Sequence, residues 1–327
     1  MQHKVILTAT AASLAAISAL NAQLTVVDSI ANGKWEASST WSGGNVPGVN
    51  TSPGAARINH DVTYDATSGT IDMGDVPGGS PGFNLNIVVG NGPAAGSLSV
   101  SGGSLSGDDV LAVGNTSDGS LAVSGGSVDF RNLGLGNANR PTNTSDVTVS
   151  GGSATFENLV FEHDNASLEY SGGSLTLTNN FNGIAGRDDG TAGKSGSLTL
   201  SNIGGANFNP IQVDGELIAG GLQLDMTIAA SALSTLTLGD QFVLFDYATR
   251  STASTEAAQF TEDGLTAFIG DDSTITVSGK LFTFDYDTDL GGGDLGVTLT
   301  AIPEPGSAGL VIGAVSLAAL IGRRRRR

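Results

Sequence analysis

Residues Ser97–Leu105 read SLSVSGGSL, and the string returns at Ser120–Val128 (SLAVSGGSV), Asp146–Ala154 (DVTVSGGSA) and Ser167–Leu175 (SLEYSGGSL). The Ser-Gly-Gly elements start at Ser101, Ser124, Ser150 and Ser171, so the spacings are 23, 26 and 21 residues. Within each string the apolar residues alternate, Leu98 with Val100, Leu121 with Val123, Val147 with Val149. Period two puts such residues on one face of a strand. The paired glycines permit the positive φ of a sharp corner. A second element follows each string, LAVGN at Leu111–Asn115, LGLGN at Leu133–Asn137 and LVFEH at Leu159–His163, and IVVGN at Ile87–Asn91 is the matching piece of an earlier repeat. A period of ~20–25 residues with about three short strands per coil predicts an all-β parallel β-helix, a β-solenoid.

Stacking the repeats predicts columns. Leu98, Leu121, Val147 and Leu168 form one, and Val100, Val123, Val149 and Tyr170 a second. Leu105, Val128, Ala154 and Leu175 form a third, with Phe130, Phe156 and Leu177 beside it and Leu111, Leu133, Leu159 and Phe181 beyond. Asn139–Thr144, polar and holding Pro141, reads as a loop that lengthens one repeat, and the Gly-rich stretch Asn182–Ser195 as another. After Leu222 the strands are stronger, at Thr237–Tyr247, Ser273–Tyr286 and Leu295–Thr300, with Ser278-Gly279 as a hairpin turn. They predict an antiparallel β cap or small β-domain.

The ends have a different character. Lys4 sits in a short basic start, Val5–Leu20 is uncharged and apolar, and small Ala22 precedes Gln23. This is the pattern of a secretory signal peptide cut between Ala22 and Gln23, with a cut after Ala19 as the alternative. At the other end Pro303, Glu304 and Pro305 precede an apolar run, Gly306–Gly322, closed by Arg323, Arg324, Arg325, Arg326 and Arg327. Pro305 keeps Glu304 out of the helical region. The run is at the short end of what spans a ~30 Å hydrocarbon core, and the arginines stop it on the cytoplasmic side. A plain membrane anchor is the bland reading.

Between residues 23 and 302 eight basic residues face 31 acidic ones, a net charge of −23. Such a body repels nucleic acid. The chain has no cysteine, which excludes thiol chemistry and disulfide staples.

The tripartite tail closely resembles the PEP-CTERM sorting signal of Gram-negative bacteria. The resemblance implies an exported protein whose tail an exosortase recognises and removes, with Pro303, Glu304 and Pro305 as the sorting motif and Arg323–Arg327 as the membrane stop. Signal peptidase would be the other processing enzyme. The stretch with Trp35, Trp41 and Pro47, then Arg57–Tyr64, resembles the opening of secreted bacterial β-helical and autotransporter-like passenger proteins. Its two tryptophans would cap the open end of the stack. The C-terminal region resembles the ends of autotransporter-associated β-strand repeat proteins. The implied division is 1–22 signal peptide, 23–83 N-terminal cap and first coils, 84–221 solenoid repeats, 222–301 C-terminal β region, and 302–327 sorting signal with a transmembrane helix.

Chemistry is sparse in the sequence. His60 and His163 read as surface or strand-edge residues. Asp108-Asp109 and Asp188-Asp189, with Arg131, Arg140 or Arg187, are the candidates for a polysaccharide lyase or glycoside hydrolase, which would work with clustered acids and a base on the outside of a β-helix. Asp285, Asp287, Asp289 and Asp294 are a weak calcium set, because calcium needs several oxygens and these acids lack the EF-hand offsets. The expectation is a non-enzymatic cell-envelope or matrix protein, structural or adhesive, with no cofactor. An exopolysaccharide is its candidate partner, and the membrane holds it through the C-terminal helix before processing.

Overall fold

The computed structural model describes residues 25–49, 54–74, 85–137, 139–140, 142–183, 196–252, 259–262 and 267–303. Ala22, Gln23, Glu304, Pro305, the apolar run and Arg323–Arg327 lie outside the described residues. No helix among the described residues is long and apolar enough to cross a membrane.

The chain is mostly β. Its N-terminal strands are β1 (Thr25–Asp28), β2 (Gly33–Lys34), β3 (Gly54–Ile58), β4 (Asp61–Tyr64), β5 (Thr70–Asp72) and β6 (Leu85–Val89). The repeats supply β7 (Gly96–Val113), β8 (Gly119–Leu135), β9 (Ser145–Val149), β10 (Ser153–Phe161), β11 (Ala166–Tyr170) and β12 (Ser174–Asn182). Then come β13 (Ser197–Ile203), β14 (Ile211–Ile218) and β15 (Gln223–Ile228), the short helix α1 (Ala230–Thr235), and β16 (Gln241–Arg250), β17 (Ser273–Val277), β18 (Lys280–Gly291) and β19 (Asp294–Ala301). All nineteen strands belong to one hydrogen-bonded sheet.

Successive repeats pair in parallel and in register. Leu98 pairs with Leu121, Leu121 with Val147 and Val147 with Leu168. Val100, Val123, Val149 and Tyr170 pair in the same order. Leu105, Val128, Ala154 and Leu175 do so too, as do Phe130, Phe156 and Leu177, and Leu111, Leu133, Leu159 and Phe181. Every one of these side chains is buried. Each contributes about 1.5–3 kcal/mol of apolar burial when large. The five predicted columns are therefore present as paired rows. Parallel pairing also reaches beyond residues 84–221, from β1 with β3 to β14 with β16.

Two details differ from the expected short strands. β7 and β8 run for 18 and 17 residues without interruption. Their mutual register shifts at Val100/Ser101, Ser101/Ser104 and Gly107/Val110. Pairing thus continues around the Ser-Gly-Gly bends, because the neighbouring repeat bends at the same place. The second glycine of the bend has two reasons to be glycine. Gly126 has φ +68°, and a Cβ there would lie 2.5 Å from the Gly102 carbonyl carbon and from the Gly103 oxygen. Both the backbone conformation and the close stacking exclude a side chain.

Trp35 and Trp41 are fully buried beside the first strands, their rings 5.0 Å apart and edge-to-face. Trp41 Nε1 donates to the Trp35 carbonyl at 2.6 Å and Trp35 Nε1 to the Pro47 carbonyl at 3.2 Å, so neither indole leaves a buried donor unpaired. Tyr64 extends the cluster, 5.8 Å from Trp35.

At the other end β16 pairs parallel with β14 on one side and antiparallel with β19 on the other. β17 and β18 form a hairpin closed by Ser278 and Gly279, at φ +50° and +76°. Positive φ at both turn positions matches the twist of a two-residue hairpin. A train of rings crosses the handover, with Phe181, Phe245, Phe260 and Tyr286 spaced 5.6, 5.5 and 6.4 Å. The antiparallel strands thus share one core with the parallel rows.

Candidate functional site

The side chains that point away from the core line two grooves. The first follows the outward row Asp72, Ser106, Asp129 and Thr155. It has a volume of about 460 Å3, and Asp108, Arg131 and Glu157 complete its walls. Asp129 points outward because its neighbours Val128 and Phe130 point in. Arg131 is the cation of the groove among the described residues. Its Nη1 lies 3.9 Å from Asp109 Oδ1, and its Nε lies 3.8 Å from Glu157 Oε2. Asp109 is buried, with its N–H donated to Asn86 Oδ1 at 2.8 Å. The Asp108-Asp109 pair and Arg131 are thus brought together, while Arg140 is exposed in the turn that follows Asn137. Arg187, Asp188 and Asp189 lie outside the described residues. Asp72, Asp129 and Glu157 were not singled out in the sequence. Asp72 and Asp129 share one paired row, whereas Glu157 stands at the repeat position of Arg131, just before the paired Asn132 and Asn158.

The second groove, about 580 Å3, lies on the face after the next bend. Asn115, Asn132, Asn158 and Asn180 wall it, and Val110, Ala112, Gly134 and Val160 floor it. The amides are joined into rows. Asn137 Nδ2 donates to Asn115 Oδ1 at 2.6 Å, and Asn115 Nδ2 to Asn91 Oδ1 at 2.7 Å. In the second row Asn179 Nδ2 donates to Asn158 Oδ1 at 3.0 Å and Asn158 Nδ2 to Asn132 Oδ1 at 2.8 Å. The Gly-Asn pairs ending IVVGN, LAVGN and LGLGN mark the first row in the sequence, but only the structure joins the amides.

The two histidines among the described residues divide. His60 Nδ1 lies 3.1 Å from Ser29 Oγ. His163, expected at the surface or a strand edge, lies two residues past β10 and is buried. Its Nδ1 accepts the Asn165 N–H at 3.1 Å, which leaves Nε2 protonated toward Ser145 Oγ at 3.3 Å. Burial holds the imidazole below its ordinary value, against the opposing pull of its backbone hydrogen bond and of Asp164.

The acids of β18 and β19 serve other partners. Asp287 Oδ2 pairs with Arg250 Nη2 at 2.6 Å, and its Oδ1 accepts the Tyr247 hydroxyl at 2.9 Å. Asp289 Oδ1 accepts the Gly291 N–H at 2.8 Å, and Asp294 begins β19. Asp285 is raised above the usual carboxylate range, first by burial and then by a hydrogen bond to Asp272 and the charges of Asp272 and Asp271. No group of three or more His, Asp or Glu among the described residues is placed to hold a metal ion. Of the sorting motif only Pro303 is described, and it is exposed two residues past β19. The chain matches no family model, no curated protein and no solved structure.

Proposed function

We propose that the chain is an exported, exosortase-sorted protein of the cell envelope or extracellular matrix, structural or adhesive rather than catalytic. Its parallel rows wind as a β-solenoid of about three strands per coil, closed by the tryptophan cluster at one end and by antiparallel strands at the other. The observation that carries the reading is one unbroken column, Val62, Leu98, Leu121, Val147, Leu168, Leu198 and Leu224, in which each residue pairs with the next. A chain that returns to the same position once per repeat builds such a column, and repeat stacks of this kind gain stability from neighbour to neighbour. The acidic, cysteine-free composition suits a body outside the cytoplasm, and the two ends supply the route.

Intact-mass measurement of the protein from its host tests the sorting. The expected species starts at Gln23 and lacks Arg323–Arg327. A species that keeps all five arginines in exosortase-competent cells would establish a plain anchor instead.

A second reading, a surface polysaccharide lyase or glycoside hydrolase, is favoured by the groove that gathers Asp72, Asp108, Asp129 and Glu157 around Arg131. Incubation with polygalacturonate, with and without calcium, separates the two. Chain cleavage that disappears in Asp108→Asn would replace the structural reading.

A further inference from the structure

Most outward rows carry hydroxyls and carboxylates. Asp61, Ser97, Ser120, Asp146 and Ser167 pair in order along one face, and Asp72, Ser106, Asp129, Thr155 and Thr176 along another. One outward row departs from this rule. Between Arg57 and Asn182 in that row, Val88, Ala112, Gly134 and Val160 pair in order and are apolar or bare, the first three buried and Val160 half-buried. The last three form the floor of the asparagine-walled groove.

The walls hold unspent donors. Asn132 Oδ1 accepts from Asn158, and Asn180 Oδ1 accepts from the Glu216 N–H at 2.9 Å. Neither Asn132 Nδ2 nor Asn180 Nδ2 has a hydrogen-bond partner among the described residues. Both side chains are half-buried at the groove wall. Glu162 is the one charged residue of the lining among the described residues.

We propose that this groove binds an extended, uncharged glycan strand lying along the stack. The small apolar floor suits the hydrocarbon faces of sugar rings, and amide rows offer both donors and acceptors to hydroxyls. An anionic polymer would meet Glu162 and a body of net charge −23. A peptide strand adds through main-chain pairing at a sheet edge. Here the main chain is already paired on both sides, β8 with β7 and with β10. A lipid chain would leave the wall amides without partners. The rungs are spaced by ~4.8 Å, so a strand crossing from Val110 to Asn180 spans several of them. The inference rests on the solenoid reading and on export, where such a polymer is met.

Gly134 allows a clean test. It has no positive φ, and a Cβ there would meet only Glu162 Oε1, at 3.7 Å, so a side chain enters the groove without displacing the core. Asn132→Asp with Asn180→Asp keeps the oxygens that the structure uses and removes the free donors. The measurement is affinity electrophoresis of the host-purified protein through dextran, with cellohexaose in competition and polygalacturonate as the anionic comparison. Dextran is expected to retard the protein, cellohexaose to reverse the retardation and polygalacturonate to leave migration unchanged. Gly134→Arg and the double asparagine variant are each expected to weaken retention about tenfold, equivalent to ~1.4 kcal/mol, with the thermal midpoint of the double variant unchanged. Absence of retention by dextran and of binding to cellohexaose, retention by polygalacturonate alone, or retention unaltered in the double variant would overturn the proposal. Intact-mass analysis reports on export separately, so failure of one does not imply failure of the other.

Discussion

Val123 and Ala122 are neighbours in β8 with opposite fates. Val123 is 1 % exposed in the column between Val100 and Val149, while Ala122 faces solvent. Val123→Asp puts an unpaired carboxylate into that column, a change that costs roughly 4 kcal/mol or more and is expected to prevent folding. Ala122→Asp is expected to stay within about 0.5 kcal/mol of the parent. Urea unfolding followed by circular dichroism reads both. Equal midpoints for the two variants would mean that the in-and-out assignment of the strand is wrong. This contrast was legible in the sequence, because alternation needs only local neighbours. His163 was not legible. Its burial depends on Ser145, 18 residues away, and on Gly136, against which the ring packs. Its titration has a defined sign. The folded value lies below the ordinary 6.5, so at higher pH neither state binds the proton and the residue costs nothing. As pH falls through the unfolded value the unfolded chain takes up a proton first, and stability is lost until the folded value is passed. His163→Gln is therefore expected to flatten the pH dependence of the urea midpoint between about pH 7 and 5, relative to the parent. An unchanged slope would place the imidazole in water.

At the scale of elements, the repeat was readable and its polar reinforcement was not. The string SLSVSGGSL and its copies predict both the columns and the corners, and the pairing follows them residue by residue. Asparagine after glycine, however, reads first as a turn residue. At Asn91, Asn115 and Asn137 the same amides form a row of hydrogen bonds from one repeat to the next. A single sequence does not distinguish an amide that turns the chain from one that joins two turns. Asn115→Ala removes two such bonds at once and is expected to cost about 1–2 kcal/mol. The urea midpoint should fall without a change in slope. A midpoint equal to that of the parent would show that water replaces the row without loss. The unexpected length of β7 and β8 has a related cause. Ser101 pairs with Gly125 and Ser104 with Ser127, so hydrogen bonding to the next repeat persists across the bend.

For the whole molecule the question is how a parallel stack ends. A strand edge left open invites pairing with another chain. The antiparallel cap was visible in the sequence, with Ser278-Gly279 as its hairpin turn, whereas the parallel pairing of β16 with β14 was not. The apolar run from Phe242 to Phe245 looks the same whichever way its neighbour runs. In the structure β19 covers the free side of β16, with Phe242 opposite Leu299 and Phe245 opposite Val297. Leu244, Phe245 and Leu299 are fully buried there. A chain ended after Ser251 would expose that edge and its apolar residues together. We expect it to self-associate as concentration rises, in light scattering coupled to size exclusion, while the full body stays at one mass. Adding Val243→Lys to the shortened chain puts a charge on the bared strand and should return it toward monomer. A shortened chain that is monomeric without the lysine, and that melts like the parent, would remove the capping role from β17–β19. The stack would then have to end at β16 by its own means.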